Sequence, residues 1–98
     1  LMNIEQFKNF MTLEKPKDRQ IELRVFPNME IAKMAFNDSI AKLKNEGVSF
    51  QFNISNLTVT NSPYGELVFM SVNNVARQTK GRQFTSVYVH PTINEVHI

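Results

Sequence analysis

The chain has 98 residues, of which 42% are hydrophobic and 20% charged, and this balance predicts one folded domain rather than a disordered segment. Its formal net charge of +2 suits an acidic partner or nucleic acid, although a nucleic-acid footprint is usually stronger. With no cysteine there is neither a disulfide framework nor a thiolate metal site, and no apolar run approaches the ~18 residues that cross a bilayer.

Met2 reads as the natural start, preceded by Leu1, and the first residues lack the basic flank and apolar core of a signal peptide. This predicts an intracellular protein. Asn53-Ile54-Ser55 and Asn56-Leu57-Thr58 fit the N-glycosylation pattern, which matters only for a secreted chain. Asn3 followed by Gln6 matches a capping box, and Ile4, Phe7, Phe10 and Met11 lie at helical spacing, so residues 4–14 are expected to form an amphipathic helix. The segment Lys15-Pro16-Lys17-Asp18-Arg19 ends it, because a proline keeps the residue before it out of the helical region.

Residues 20–26 alternate, with Ile21, Leu23 and Val25 inward and Glu22 and Arg24 outward, the pattern of a half-buried strand. Asn28 can cap a helix that begins at the next residue. Met29, Ala32, Phe36, Ile40 and Leu43 form one apolar stripe, and Gly47 supplies a left-handed stop, so a long helix spans 29–46. Val48, Phe50, Phe52 and Ile54 alternate with Ser49, Gln51 and Asn53 as a second half-buried strand, in which the two phenylalanines read as core rather than as stacking platforms. A short third strand covers 56–60 with Leu57 and Val59 inward. The turn Asn61-Ser62-Pro63-Tyr64-Gly65 then leads as a hairpin into residues 66–72.

That fourth strand is apolar on both faces, Leu67 and Phe69 against Val68, Met70 and Val72, and is expected to be covered on both sides. A short polar, basic helix over 74–80, a strand over 84–90 in which Phe84 and Tyr88 oppose Val87 and Val89, and a tail with a short extended piece complete the chain. The reading is an α+β domain in the order α-β-α-β-β-β-α-β. It has a five-stranded mixed or mainly antiparallel sheet and carries helices mainly on one face.

The succession Val25-Phe26-Pro27-Asn28, the helix through Ala32 and Phe36, the hairpin about Gly65, and Gly81-Arg82 before the strand at Val87 resembles the middle segment of a RecA-like P-loop ATPase. The type is that of phage terminase large subunits and some helicases. Glycine occurs only at positions 47, 65 and 81, so no phosphate loop with its lysine is present, and His90 and Pro91 stand where the acidic Walker B pair would be. The resemblance therefore implies a scaffold without the phosphate loop and the metal-binding carboxylate: a degenerate nucleotide-binding domain, or a phage or mobile-element accessory protein.

Arg77, Lys80 and Arg82, with Gln78 and Gln83, form the densest basic polar patch and suit phosphate groups or an acidic protein surface. Lys15, Lys17, Arg19 and Arg24 form a second basic group, with Arg24 on the outer face of its strand beside Gln51 and Asn53. Tyr64, between Pro63 and Gly65, is an aromatic at a hairpin tip, either an anchor for a protein contact or packed on its own strand. His90 and His97, with Glu95 as the one acidic residue of the tail, do not make up a metal or acid–base set. Ser39, Ser62 and Ser71 lack the nucleophile-elbow context. No enzyme activity, cofactor or metal is expected. The sequence points to a small intracellular protein that binds a host or viral protein partner, possible roles including inhibition. Nucleic-acid binding through Arg77, Lys80 and Arg82 is the alternative, and homodimerisation through a free sheet edge or the N-terminal helix fits either.

Overall fold

The computed structural model describes residues 1–12 and 19–98. Its elements are β1 (Met2–Asn3), α1 (Ile4–Met11), β2 (Ile21–Phe26), α2 (Met29–Glu46), β3 (Gln51–Asn53), β4 (Thr58–Ser62) and β5 (Gly65–Ser71). A 3-10 turn (Val72–Asn74), α3 (Val75–Gln78), β6 (Ser86–Val89) and β7 (Glu95–Val96) follow. Five strands form one mixed sheet in the order β3-β4-β5-β2-β6. β2 lies at its parallel heart, paired with β5 from Ile21↔Glu66 to Phe26↔Ser71 and with β6 from Glu22↔Ser86 to Val25↔Val89. β3, β4 and β5 form an antiparallel meander. The class and element order are those read from the sequence. β1 and β7, which pair Met2 with Val96, carry too little pattern to be foreseen.

The local causes are explicit. Asn3 and Gln6 complete the capping box of α1, Gln6 N–H donating to Asn3 Oδ1 at 2.8 Å and Asn3 N–H to Gln6 Oε1 at 3.1 Å. Asn28 Oδ1 accepts the Ile31 N–H at 2.9 Å at the start of α2, and Gly47, at φ +70°, ends it. The alternating side chains of β2 and β5 feed two apolar clusters, one on each face of the sheet. Leu23, Val25, Val68 and Met70 join Phe7 and Met11 of α1, Val75, Phe84 and Val96. Leu67 and Phe69 join Phe36, Ile40 and Leu43 of α2 on the opposite face. Thus α1 and α3 share one face, while the longest helix covers the other, so neither face of the central strands is open.

Several boundaries differ from expectation. α1 is described only to Met11, and residues 13–18, with the predicted helix end and the basic residues Lys15 and Lys17, lie outside the described residues. β3 pairs over only three residues. Leu57 takes a left-handed conformation (φ 52°), which moves the start of β4 to Thr58, and Asn61 (φ 56°) makes an irregularity within it. The hairpin closes from Ser62 to Gly65 around Pro63 and Tyr64 alone. Phe84 lies ahead of β6, where it bridges to Thr12, so it faces the α1 cluster with Val87 and Val89 rather than siding with Tyr88.

Side-chain placement brings two further corrections. Phe50 packs against the α2 cluster, but Phe52, at the sheet edge, is 45% exposed rather than core. Phe10, at helical spacing with the buried Phe7, is 52% exposed.

Candidate partner-binding cleft

The predicted basic segment comes directly after β5. Ser71 Oγ accepts the Asn73 N–H at 3.1 Å and starts the 3-10 turn that runs into α3. The buried Thr79 ends α3, its hydroxyl donating to the Val75 carbonyl at 2.6 Å. Gly81, at φ +72°, lets the chain double back so that Arg82 N–H reaches the Thr79 carbonyl at 2.9 Å. Beyond the turn the chain is pinned again. Phe84 N–H donates to the Met11 carbonyl at 2.9 Å, and Thr85 N–H to the Ile21 carbonyl at 2.8 Å. Thr85 Oγ1 accepts the Ile21 N–H at 2.8 Å. Between these anchors Lys80, Gly81, Arg82 and Gln83 are all exposed.

This loop forms one wall of a cleft of about 830 Å³ at the N-terminal ends of β2 and β6. Its apolar lining comes from Phe10 and Met11 of α1, Ile21, Ala76 and Ile98. Lys80, Arg82 and Gln83 line it from the loop, and Arg19 from the other side. Phe10 and Ile98 are 52% and 45% exposed, an unusual state for large apolar side chains. Arg19 is paired with Glu66. Among the described residues no carboxylate pairs with Lys80 or Arg82; instead the Arg82 guanidinium lies 5.3 Å from the centroid of the Phe84 ring.

The other predicted residues divide. Arg77 and Gln78 are exposed on α3 and are not among the described cleft residues, and Arg77 donates to Asn74 Oδ1 at 3.1 Å. Arg24 and Tyr64 line a separate groove of about 360 Å³ between α2 and the sheet. There Arg24 is engaged with Glu22 at 2.5 Å and lies over the Phe69 ring at 5.7 Å, while Ser86 Oγ donates to Glu22 at 3.0 Å. The open polar sheet surface expected around Arg24 with Gln51 and Asn53 is not formed. Arg24 is on β2, with β5 and β4 between it and β3.

The Tyr64 hydroxyl donates to Glu46 Oε2 at 2.7 Å, tying the hairpin tip to the end of α2. This hydrogen bond, together with the Glu46 charge and a small desolvation, raises the phenol above its ordinary pKa of 10.0. His90 accepts or donates through Nδ1 to the Thr92 hydroxyl at 2.8 Å, and its ring lies 6.1 Å from that of Phe26. No group of three or more His, Asp and Glu able to hold a metal occurs among the described residues. No helix among them is long and apolar enough to cross a membrane.

The cleft joins three residues singled out from the sequence, Lys80, Arg82 and Gln83, with Arg19 from the second basic group. It adds Phe10 and Ile98, which the sequence did not mark as site residues. Phe10 shares the helical spacing of α1, and only the turn of the helix against β6 and β7 leaves it outside the core; Ile98 carries no sequence signal. No family model, curated protein or solved structure matches the chain.

Proposed function

We propose that the protein is a non-catalytic binding protein whose cleft between α1 and the 79–85 loop holds an acidic, partly apolar segment of a protein partner. One observation carries this reading: Lys80 and Arg82 stand on a pinned loop beside an apolar lining that includes exposed Phe10 and Ile98. Cations alone suit any polyanion. Cations beside exposed aromatic and aliphatic surface suit a peptide that carries carboxylates and large apolar side chains together. Occupying such a segment on a host or viral protein is how a small chain without catalytic groups would act, as an inhibitor or an accessory factor. The resemblance to a terminase segment favours a phage or mobile-element setting, in the host-cell cytoplasm.

Nucleic-acid binding is the second reading, favoured by the run of exposed Arg77, Lys80 and Arg82 along a single short segment. The two separate in one titration. Fluorescein-labelled acidic peptides with Glu and Leu or Phe alternating at helical spacing are compared with single- and double-stranded DNA and RNA, each at two salt concentrations. Saturable peptide binding that survives the higher salt, and that is not matched by a peptide with Ser replacing its apolar residues, supports the cleft. Binding confined to the oligonucleotides and collapsing steeply with salt supports the second reading and removes the first. A degenerate nucleotide site predicts a thermal shift with ATP and magnesium, and none is expected.

A further inference from the structure

The outer edge of the sheet at β3 has a composition unlike the rest of the chain. Residues 47–65 contain no Asp, Glu, Lys, Arg or His, in a protein that is otherwise one-fifth charged. Sheet edges are ordinarily guarded by charge, proline or a bulge, because unpaired backbone amides and carbonyls there invite another strand. β3 ends the sheet order and has β4 alone as its neighbour among the described residues. No charge or proline protects residues 48–54, and the irregularity of this hairpin lies on β4, away from the free edge. Phe52 is 45% exposed on this edge and Ile54, beside it, 68%.

The side chains of this edge suit their own copy. Phe52 is in register with buried Val59, and its ring meets Phe36 of α2 edge-on at 6.3 Å and Phe50 at 6.2 Å. Phe50 and Phe52 therefore lie on the α2 face, while the intervening Gln51 is held by Asn61 of β4 at 2.5 Å. From this we infer that β3 pairs antiparallel with β3 of a second copy about a two-fold axis at Phe52, joining two five-stranded sheets into one of ten strands. That axis sets Phe52 against Phe52 and Phe50 against position 54, apolar on apolar, with the polar positions 51 and 53 opposite each other. An uncharged edge meets itself without repulsion. The basic cleft lies by β2 and β6, at the far side of the sheet, so both clefts remain open in the pair, and its failure to bind peptide would leave this inference untouched.

Sedimentation velocity of the full chain over a wide concentration range is expected to show a monomer–dimer equilibrium. Phe52→Lys places two like charges on the axis and is expected to weaken the dimer by more than about tenfold with an unchanged circular-dichroism spectrum. Should F52K fail to fold, Phe52→Cys keeps an uncharged side chain. In a chain otherwise free of cysteine it is expected to give an interchain disulfide on mild oxidation, whereas Asn37→Cys on the exposed side of α2 is not. A wild type that remains monomeric at every concentration overturns the inference. So does a folded F52K that dimerises as the wild type does, or a folded F52C that gives no more crosslink than N37C.

Discussion

The guanidinium of Arg82 lies 5.3 Å from the centre of the Phe84 ring, so a residue of the exposed loop rests on one that is buried between α1 and the sheet. The contact orients the cation at little conformational cost and links the cleft wall to the core. The two residues should respond very differently to truncation. Phe84→Ala removes a side chain that is 1% exposed and should cost about 3–5 kcal/mol. Arg82→Ala should cost no more than about 1 kcal/mol, the value of an exposed cation–π contact. Urea denaturation of both variants checks the ordering, and comparable losses would place Arg82 in a structural role.

Gly65 and Gly47 both have positive φ, at +85° and +70°, but only Gly65 is crowded. A Cβ on Gly65 would sit 2.6 Å from Gln20 Cβ and from the Gln20 carbonyl oxygen, which also accepts the Glu66 N–H at 2.9 Å. Nothing lies within 4 Å of the same position on Gly47. Gly47→Ala should cost about 1–2 kcal/mol, the left-handed penalty alone. Gly65→Ala should cost clearly more, because it also pushes the start of β2 away from β5. Equal midpoints in denaturant would contradict the register of these two strands.

Tyr64 supplies a test by titration. Its phenol is held above 10.0 by the Glu46 carboxylate, so Glu46→Gln should move its ionisation downward, read by ultraviolet difference absorbance in a Tyr88→Phe background. Linkage fixes the sign for stability. A phenol with its folded pKa above the unfolded one contributes stability that is present below pH 10.0 and is lost as the pH rises through the folded value. The wild type should therefore lose stability in that alkaline range more steeply than E46Q does. An unchanged midpoint in E46Q would mean that the hairpin tip is not tied to α2 in solution.

The parts of the fold that were legible in the sequence are those where several local signals coincide. α2 runs from Met29 to Glu46 as its apolar spacing indicated, because Asn28 and Gly47 mark its ends independently. β2 and β5 obeyed their alternation, and the two-sided burial of β5 was visible in Leu67 to Met70. The misses have tertiary causes. Phe52 alternates as a core residue should, but its strand is the last of the sheet. β1 and β7 exist only because the two ends of the chain meet, Met2 against Val96. Of the site, the cations of the 79–85 loop could be read directly. Their apolar partners Phe10 and Ile98 could not, since they come from opposite ends of the chain and meet Lys80 and Arg82 only in the folded molecule.

The most direct measurement is a charge exchange at the cleft, the double substitution Lys80→Glu/Arg82→Glu assayed against matched acidic and basic peptides that share the same Leu and Phe positions. Both residues are exposed and away from the core, so the variant should melt close to the wild type. Wild type is expected to bind the glutamate peptide at least tenfold more tightly than the lysine peptide, and the double variant to reverse that preference. If the folded double variant keeps the wild-type preference, or if the wild type does not distinguish the two peptides, the cleft is not where an acidic partner docks.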